Sequence, residues 1–191
     1  MSTNTKEHIF RSFIIILSEK PFDKITVRDI VEKANINRNT FYYYYSDIYE
    51  LLEELFSIEE KSMVDSHSKG FRWFISFSKI IETAYRNKKI IYNICASRSY
   101  EYLETYMFKS CNRVLTEYVM EIAEGKNIPD HTVDFIISFY EYAISGTLTN
   151  WYRTGMKEKP EEILQEFMYM FEGLVGTIDN IAKKNDNENT V

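Results

Sequence analysis

The stretch from Thr26 to Asp47, TVRDIVEKANINRNTFYYYYSD, constrains this chain more than any other. Thr26 can cap a helix that carries Val27, Ile30, Val31 and Ala34 on one face. Asp29, three residues later, makes that start close to a capping box. Ala34-Asn35-Ile36 then breaks the helix. Asn37 can cap a second helix that presents Arg38, Asn39 and Thr40 on its first turn, with aromatics behind them. Two short helices joined by a tight turn make a helix-turn-helix, whose second helix enters a DNA major groove. The turn needs a residue near the left-handed region. Glycine is the usual choice and asparagine the commonest substitute, so Asn35 fits, and Ile36 is placed to plug the core.

Helical periodicity continues on both sides. Ile9, Phe13, Ile16 and Leu17 share one face of a helix expected from about Lys6 to Glu19, and Pro21 stops it. Residues 1–5 are polar and expected to fray. Asp47 and Glu50 form another capping pair, opening a longer helix with Leu51, Leu52, Leu55, Phe56 and Met63. Further helices are predicted from Phe71 to Tyr85, Lys88 to Ala96, Tyr100 to Ala123, Asp130 to Arg153 and Glu161 to Ala182. Loops with Gly125 and Pro129, and with Gly155 and Pro160, separate the last three.

The spacing therefore predicts an all-α chain of about nine helices. Its expected parts are a helix-turn-helix head over 1–46, a helical body over 47–184 and a disordered tail over 185–191.

Charge is distributed in keeping with contact at one end. The net charge is −6. Residues 1–46 hold seven of the 23 Lys/Arg and five of the 29 Asp/Glu, a net of +2; the rest hold sixteen and 24, a net of −8. A mildly basic head on an acidic body suits DNA contact by the head alone. Cys95 and Cys111 lack metal-ligand spacing and read as free thiols in a reducing cytoplasm. No signal peptide and no membrane span is expected. His8, His67 and His131 are scattered, so neither metal nor cofactor is implied, and no catalytic constellation is visible. Glu59-Glu60 and Glu161-Glu162 read as solvated helix faces.

Residues 9 to 56 resemble the DNA-binding domain of TetR/AcrR-type transcriptional regulators. The resemblance is carried by Phe22, Ile25-Thr26-Val27-Arg28-Asp29-Ile30, Ala34-Asn35-Ile36, Arg38-Asn39-Thr40-Phe41-Tyr42-Tyr43-Tyr44-Tyr45 and Leu51-Leu52. The region around Trp151 and Glu161-Glu162 loosely resembles the branch containing dihydroxyacetone-kinase regulators. Asn35 replaces the family's usual glycine. Ile48 stands where a phosphate-contacting lysine is common, which leaves the N–H groups opening that helix as a substitute contact.

The resemblance implies double-stranded DNA as partner, a homodimer and a small-molecule effector bound in the body. The DNA-facing candidates are Thr26, Arg28, Asn37, Arg38, Asn39, Thr40, Tyr42 and Tyr43. Arg38 can fork onto guanine. Thr26 and Asn37 also serve as caps, Arg28 can equally be a solvated charge, and the tyrosine hydroxyls can donate to phosphates. By helical phase Phe41 and Tyr45 belong to the core. The effector candidates are Phe74, Tyr92, Tyr102, Tyr106 and Tyr140, which can equally be core.

The helix over 130–153 is apolar on two faces, Val133/Ile137/Tyr140/Ile144/Leu148/Trp151 and Phe135/Phe139/Tyr142/Gly146/Thr149. Such a helix is buried twice, here against its own chain and a second copy. Gly146, Gly173 and Gly176 fit close helix approach. The expected function is a ligand-responsive repressor on a near-palindromic operator. The alternative is a regulator-like adaptor that acts through a partner protein without binding DNA.

Overall fold

The computed structural model describes residues 2–62 and 72–188, and within these the chain is all-helical with nine α-helices and one 3-10 turn. These are α1 (Ser2–Leu17), the turn Phe22–Lys24, α2 (Val27–Lys33), α3 (Arg38–Tyr44), α4 (Ile48–Ser62), α5 (Arg72–Arg86), α6 (Lys88–Cys95), α7 (Tyr100–Ala123), α8 (Asp130–Arg153) and α9 (Pro160–Glu188). Met63, His67 and Phe71 lie outside the described residues.

The head is a three-helix unit closed around Ile9, Phe13, Leu17, Phe22, Ile30 and Phe41, all fully buried. α1 starts earlier than expected, at Ser2, and ends at Leu17. Its last turn tightens, with Ser18 N–H reaching Ile15 O and Glu19 N–H reaching Ile16 O, before Pro21. The capping box at Thr26 is complete. At the other end of α2 the N–H of Ile36 reaches Val31 O and that of Asn35 reaches Glu32 O, with Asn35 at φ +50°. This is a full Schellman motif with asparagine in the glycine position.

The body pairs α7 along α8 and α5 along α9. α7 and α8 are each 24 residues long. At ~1.5 Å rise per residue each is about 36 Å long. Phe171 on α9 is the aromatic hub: Trp73 stacks on it at 3.9 Å, and Phe77 and Tyr118 pack around it at 5.7 and 5.2 Å. Gly155 ends α8 at φ +89°, letting Met156 tuck into the core.

α9 extends beyond the expected Ala182 to Glu188, so 185–188 are helical, not a free tail. Polar contacts with the α7–α8 loop hold the extension. Asn185 Nδ2 donates to Asn127 O at 2.8 Å, Asn127 Nδ2 donates to Asp186 at 3.1 Å, and Lys126 pairs with Asp179 at 2.7 Å.

Helix α8 buries one of its two apolar faces within the chain: Val133, Ile137, Ile144, Leu148 and Trp151. The other lies open, with Phe135 69%, Phe139 60% and Tyr142 68% exposed. Nothing approaches within 4 Å of where a Cβ would sit on Gly146, Gly173 or Gly176, so the close approach expected there is not made inside the chain. Among the described residues no helix is long and apolar enough to cross a membrane, and no group of metal-ligating side chains assembles. Cys95 is half-buried and Cys111 buried, both as free thiols.

Candidate DNA-binding surface and effector cavity

The outward face of the head carries the sequence-derived DNA candidates together. α3 exposes Arg38, Asn39, Tyr42 and Tyr43, while Phe41 and Tyr45 on the opposite side are buried. The tyrosine run thus splits by helical phase, with Tyr43 the most exposed of its members at 79%. Asn37 is a working cap: its Oδ1 accepts from Thr40 N–H at 2.8 Å and from the Thr40 hydroxyl at 3.1 Å. The Thr40 hydroxyl proton is therefore engaged, which leaves the methyl and the oxygen lone pairs of Thr40 to face a partner.

Thr26 is held by Asp29. Its N–H and hydroxyl donate to the Asp29 carboxylate at 2.8 and 2.7 Å, and its oxygen accepts from Asp29 N–H at 3.2 Å. Lys20 closes on the same carboxylate at 2.8 Å. The Lys20 ammonium first, and the Thr26 hydroxyl next, hold the Asp29 carboxyl down at about 2. Arg28 donates from Nε to Glu32 at 2.7 Å, so in the free chain it is a paired surface charge. Lys6 and Arg11 are also paired, with Glu54 and Glu7. Among the described residues, Lys24, Lys33 and Arg38 are the head cations with no carboxylate in ion-pair range.

The start of α4 departs from expectation. Asp47 Oδ1 accepts from the N–H groups of Tyr49 and Glu50 at 2.8 and 3.1 Å. Glu50 reaches back to Ser46 N–H and hydroxyl at 2.7 and 3.1 Å, so the reciprocal partner is Ser46, not Asp47. Two of the leading N–H groups are thus satisfied, beside two carboxylates. Ile48 itself packs against the core.

Inside the body, a cavity of about 180 Å³ lies where α1, α4, α5, α6, α7 and α8 meet. Its walls include Leu55, Ile80, Ile91, Leu103 and Met107, and its floor includes Ile14 from the head. Of the five effector candidates, Tyr106 alone lines it, with its ring stacked on Phe56 at 4.7 Å. The five do not converge. Tyr92 faces an open groove between the head and α6; Tyr102 packs at 5.5 Å on Tyr49 of α4; Phe74 lies edge-on to Trp73; Tyr140 turns toward α9. An aromatic-rich composition does not specify which helical faces meet: Tyr102 and Tyr106, four apart on α7, share an open groove beside Glu53 and Lys109, and the other three project elsewhere.

Sequence reasoning missed Ile14, Glu59 and Tyr152 as lining residues. Glu59 had a legible signal: it falls at i+7 from Leu52 and i+4 from Leu55, on the apolar face of α4. It is half-buried at the cavity and not on a solvated face. Burial pushes its carboxyl upward, against a smaller downward pull from Lys79.

A helix-turn-helix head on a helical body is the architecture of a DNA-binding transcriptional regulator. A family profile described as "Transcriptional regulator C-terminal region" matches residues 72–173, and one described as "Bacterial regulatory proteins, tetR family" matches 15–55. The first alone covers more than half of the chain, and the chain belongs to the TetR family of transcriptional regulators.

A curated relative is the HTH-type dhaKLM operon transcriptional activator DhaS of Lactococcus lactis subsp. lactis (strain IL1403). It is 29% identical over 69 residues, which is 36% of this chain and 37% of the relative. Among solved structures, one described as the dihydroxyacetone kinase operon activator DhaS superposes with a TM-score of 0.75 at 18% identity, over 92% of this chain and 98% of that one. A TetR transcriptional regulator from Streptococcus agalactiae 2603V superposes with a TM-score of 0.66 at 24% identity, over 88% of this chain and 93% of that one. These two likenesses establish the shared fold.

Proposed function

We propose that this regulator binds a near-palindromic operator as a homodimer and responds to a small molecule held in the body cavity. The observation that carries the DNA reading is the outward face of α3. Arg38, Asn39, Tyr42 and Tyr43 stand exposed on one short helix, with Arg38 uncommitted to any carboxylate among the described residues. A guanidinium kept unpaired in the free chain is available to fork onto guanine.

The dimer reading rests on the open faces of α8 and α9, where Phe135, Phe139 and Tyr142 lie with Tyr169, Met170 and the open space over Gly173 and Gly176. Two copies meeting there form a four-helix bundle and set two heads on half-sites about 34 Å apart. A ligand touching Ile14 contacts the head directly, so binding in the cavity shifts the head between positions that fit and do not fit those half-sites.

The first reading is repression by operator occupancy. Activation is the second, favoured by the likeness to DhaS, which is described as an activator. In vitro transcription from the chain's own promoter separates them by the sign of the effect. DNA binding is tested by fluorescence anisotropy on the same promoter across salt concentrations. Arg38→Ala is expected to relax base preference, and Thr26→Ala to weaken binding on all sequences. No salt-dependent binding would instead support an adaptor that works through a protein partner.

A further inference from the structure

We propose that Lys20 is a DNA-phosphate contact of the head, bridging the Asp29 carboxylate and a phosphate oxygen with one ammonium group. The inference rests on the DNA reading of the head and assigns it a residue outside the exposed face of α3.

The corner where α2 begins is organised around one oxygen. Asp29 Oδ2 accepts from the Thr26 N–H at 2.8 Å, from the Thr26 hydroxyl at 2.7 Å and from Lys20 Nζ at 2.8 Å. The Thr26 oxygen in turn accepts from Asp29 N–H at 3.2 Å. While this capping box is closed, Thr26 has neither its N–H nor its hydroxyl proton left for a phosphate. What it still offers is a lone pair, which a phosphate oxygen repels.

The lysine has donors to spare. An ammonium carries three N–H donors and no acceptor. Asp29 is its one ion-pair partner among the described residues, and about a third of the Lys20 side chain is open to solvent. The neighbouring acid, Glu19, lines the groove toward α6. An ion pair this exposed contributes little to stability, so Asp29 orients the ammonium without using up its donors.

In a helix-turn-helix, the helix before the recognition helix crosses the DNA backbone. α2 is that helix, and Lys20 reaches its first turn through Asp29. The Asp29 carboxylate alone would repel the phosphates; the ammonium cancels that charge and adds two donors. Sequence hides the arrangement, because Lys20 lies before Pro21 and joins the motif only when α1 packs on α2.

The test uses the full chain and fluorescence anisotropy on its own promoter and on an unrelated duplex, across salt concentrations. Lys20→Met is expected to weaken binding several-fold at low salt on both duplexes. It should also flatten the slope of log K against log salt by about 0.9, the value of one phosphate contact. Lys20→Arg, which keeps the charge, should retain most of the affinity and the slope. A fall in affinity with an unchanged slope would make Lys20 a brace for the cap and overturn the proposal, as would a Lys20→Met chain that binds like the parent.

A second measurement needs no substitution. Acetylation of lysines by an N-hydroxysuccinimide ester, read by mass spectrometry, should slow at Lys20 when duplex DNA is added. Undiminished acetylation there in the DNA-bound chain overturns the proposal even where Lys20→Met does not fold. Absence of salt-dependent binding by the unaltered chain overturns the DNA reading as well, whereas intact binding with Lys20 unprotected overturns this assignment alone.

Discussion

The side-chain amide of Asn93 donates to the main-chain carbonyl of Leu17 across 2.8 Å. Asn93 sits on α6 of the body, and Leu17 is the last residue of α1 in the head. The carbonyls that end a helix have no partner inside it, so a body residue completes a head helix. A second joint lies nearby, where Tyr49 of α4 packs between Phe22 at 5.2 Å and Tyr102 of α7 at 5.5 Å. Ile14, in the cavity wall, is a third point at which the head meets the body.

Removing the Asn93 amide is expected to loosen that joint locally. Asn93→Ala leaves a part-buried carbonyl without its donor, at a cost of ~1 kcal/mol. For a chain of this size that corresponds to a fall in Tm of roughly 2–4 °C. Hydrogen exchange should accelerate at Ser18 to Lys20 and stay unchanged in α2 and α3. Uniform acceleration throughout the head would show that the bond is a general stabiliser and not a joint.

The left-handed residue at position 35 gives a second, purely conformational expectation. Asn35 tolerates φ +50° because its short polar side chain tolerates the left-handed region. Asn35→Ala should destabilise by about 1 kcal/mol, whereas Asn35→Gly should be close to neutral. The check is urea denaturation of both variants at a shared m-value; an alanine variant as stable as the parent would contradict the turn geometry.

Such local devices explain what could be read directly from the sequence. Both ends of α2, the start of α3, the end of α7 and both ends of α8 fall where local signals mark them: Thr26 with Asp29, Asn35, Asn37, and the loops of Gly125 to Pro129 and Gly155 to Pro160. The helix phase of 41–45 was legible for the same reason. The cavity was not. Ile14, Glu59 and Tyr152 are far apart in sequence and meet only when α1, α4 and α8 pack. The extension of α9 was hidden similarly, since Asn185 and Asp186 look like tail residues until Asn127 is brought opposite them. At the α4 start, Asp47 and Glu50 were recognised as a capping pair, but Ser46 was the true partner of Glu50.

Acid sensitivity of the head should trace to Asp29. Its carboxyl is held down at about 2, first by Lys20 and then by Thr26, below the roughly 3.9 of a free aspartate. The folded head therefore binds fewer protons than the unfolded chain across that interval. The stabilisation is fully present above about pH 4 and is lost as pH falls through about 2. Asp29→Asn should flatten the stability profile between those limits, measured by urea titrations at stepped pH. It should also lower stability near pH 7 by about 1 kcal/mol through the weakened cap.

Burial makes the two thiols poor nucleophiles. It pushes Cys95 up to about 11, despite an opposing pull from Arg153, and Cys111 up to about 12, despite an opposing pull from the neighbouring Ser145. Thiolate, the reactive form, is then scarce at pH 8. Iodoacetamide is expected to label neither residue quickly in the folded chain and both in urea, as read by mass spectrometry. Rapid labelling of Cys111 in the native state would show that the α7–α8 core opens.

The pairing of Arg28 with Glu32 makes a distinguishing prediction about DNA. In the free chain the guanidinium donates to Glu32 at 2.7 Å on an exposed surface. DNA must either displace the carboxylate or accept its charge near the phosphates. Glu32→Gln removes one negative charge from the head and releases Arg28. Affinity for duplex DNA should rise several-fold at low salt, with the slope of log K against log salt steeper by about 0.9 if Arg28 takes one further phosphate. The gain should be similar on operator and unrelated duplex, because a phosphate contact carries no base information. A gain confined to the operator would place Arg28 on a base edge. No gain on either duplex would place it away from the DNA. Arg28→Ala with Glu32→Gln closes the cycle, and loss of the gain in that double variant assigns it to the arginine and not to the deleted carboxylate.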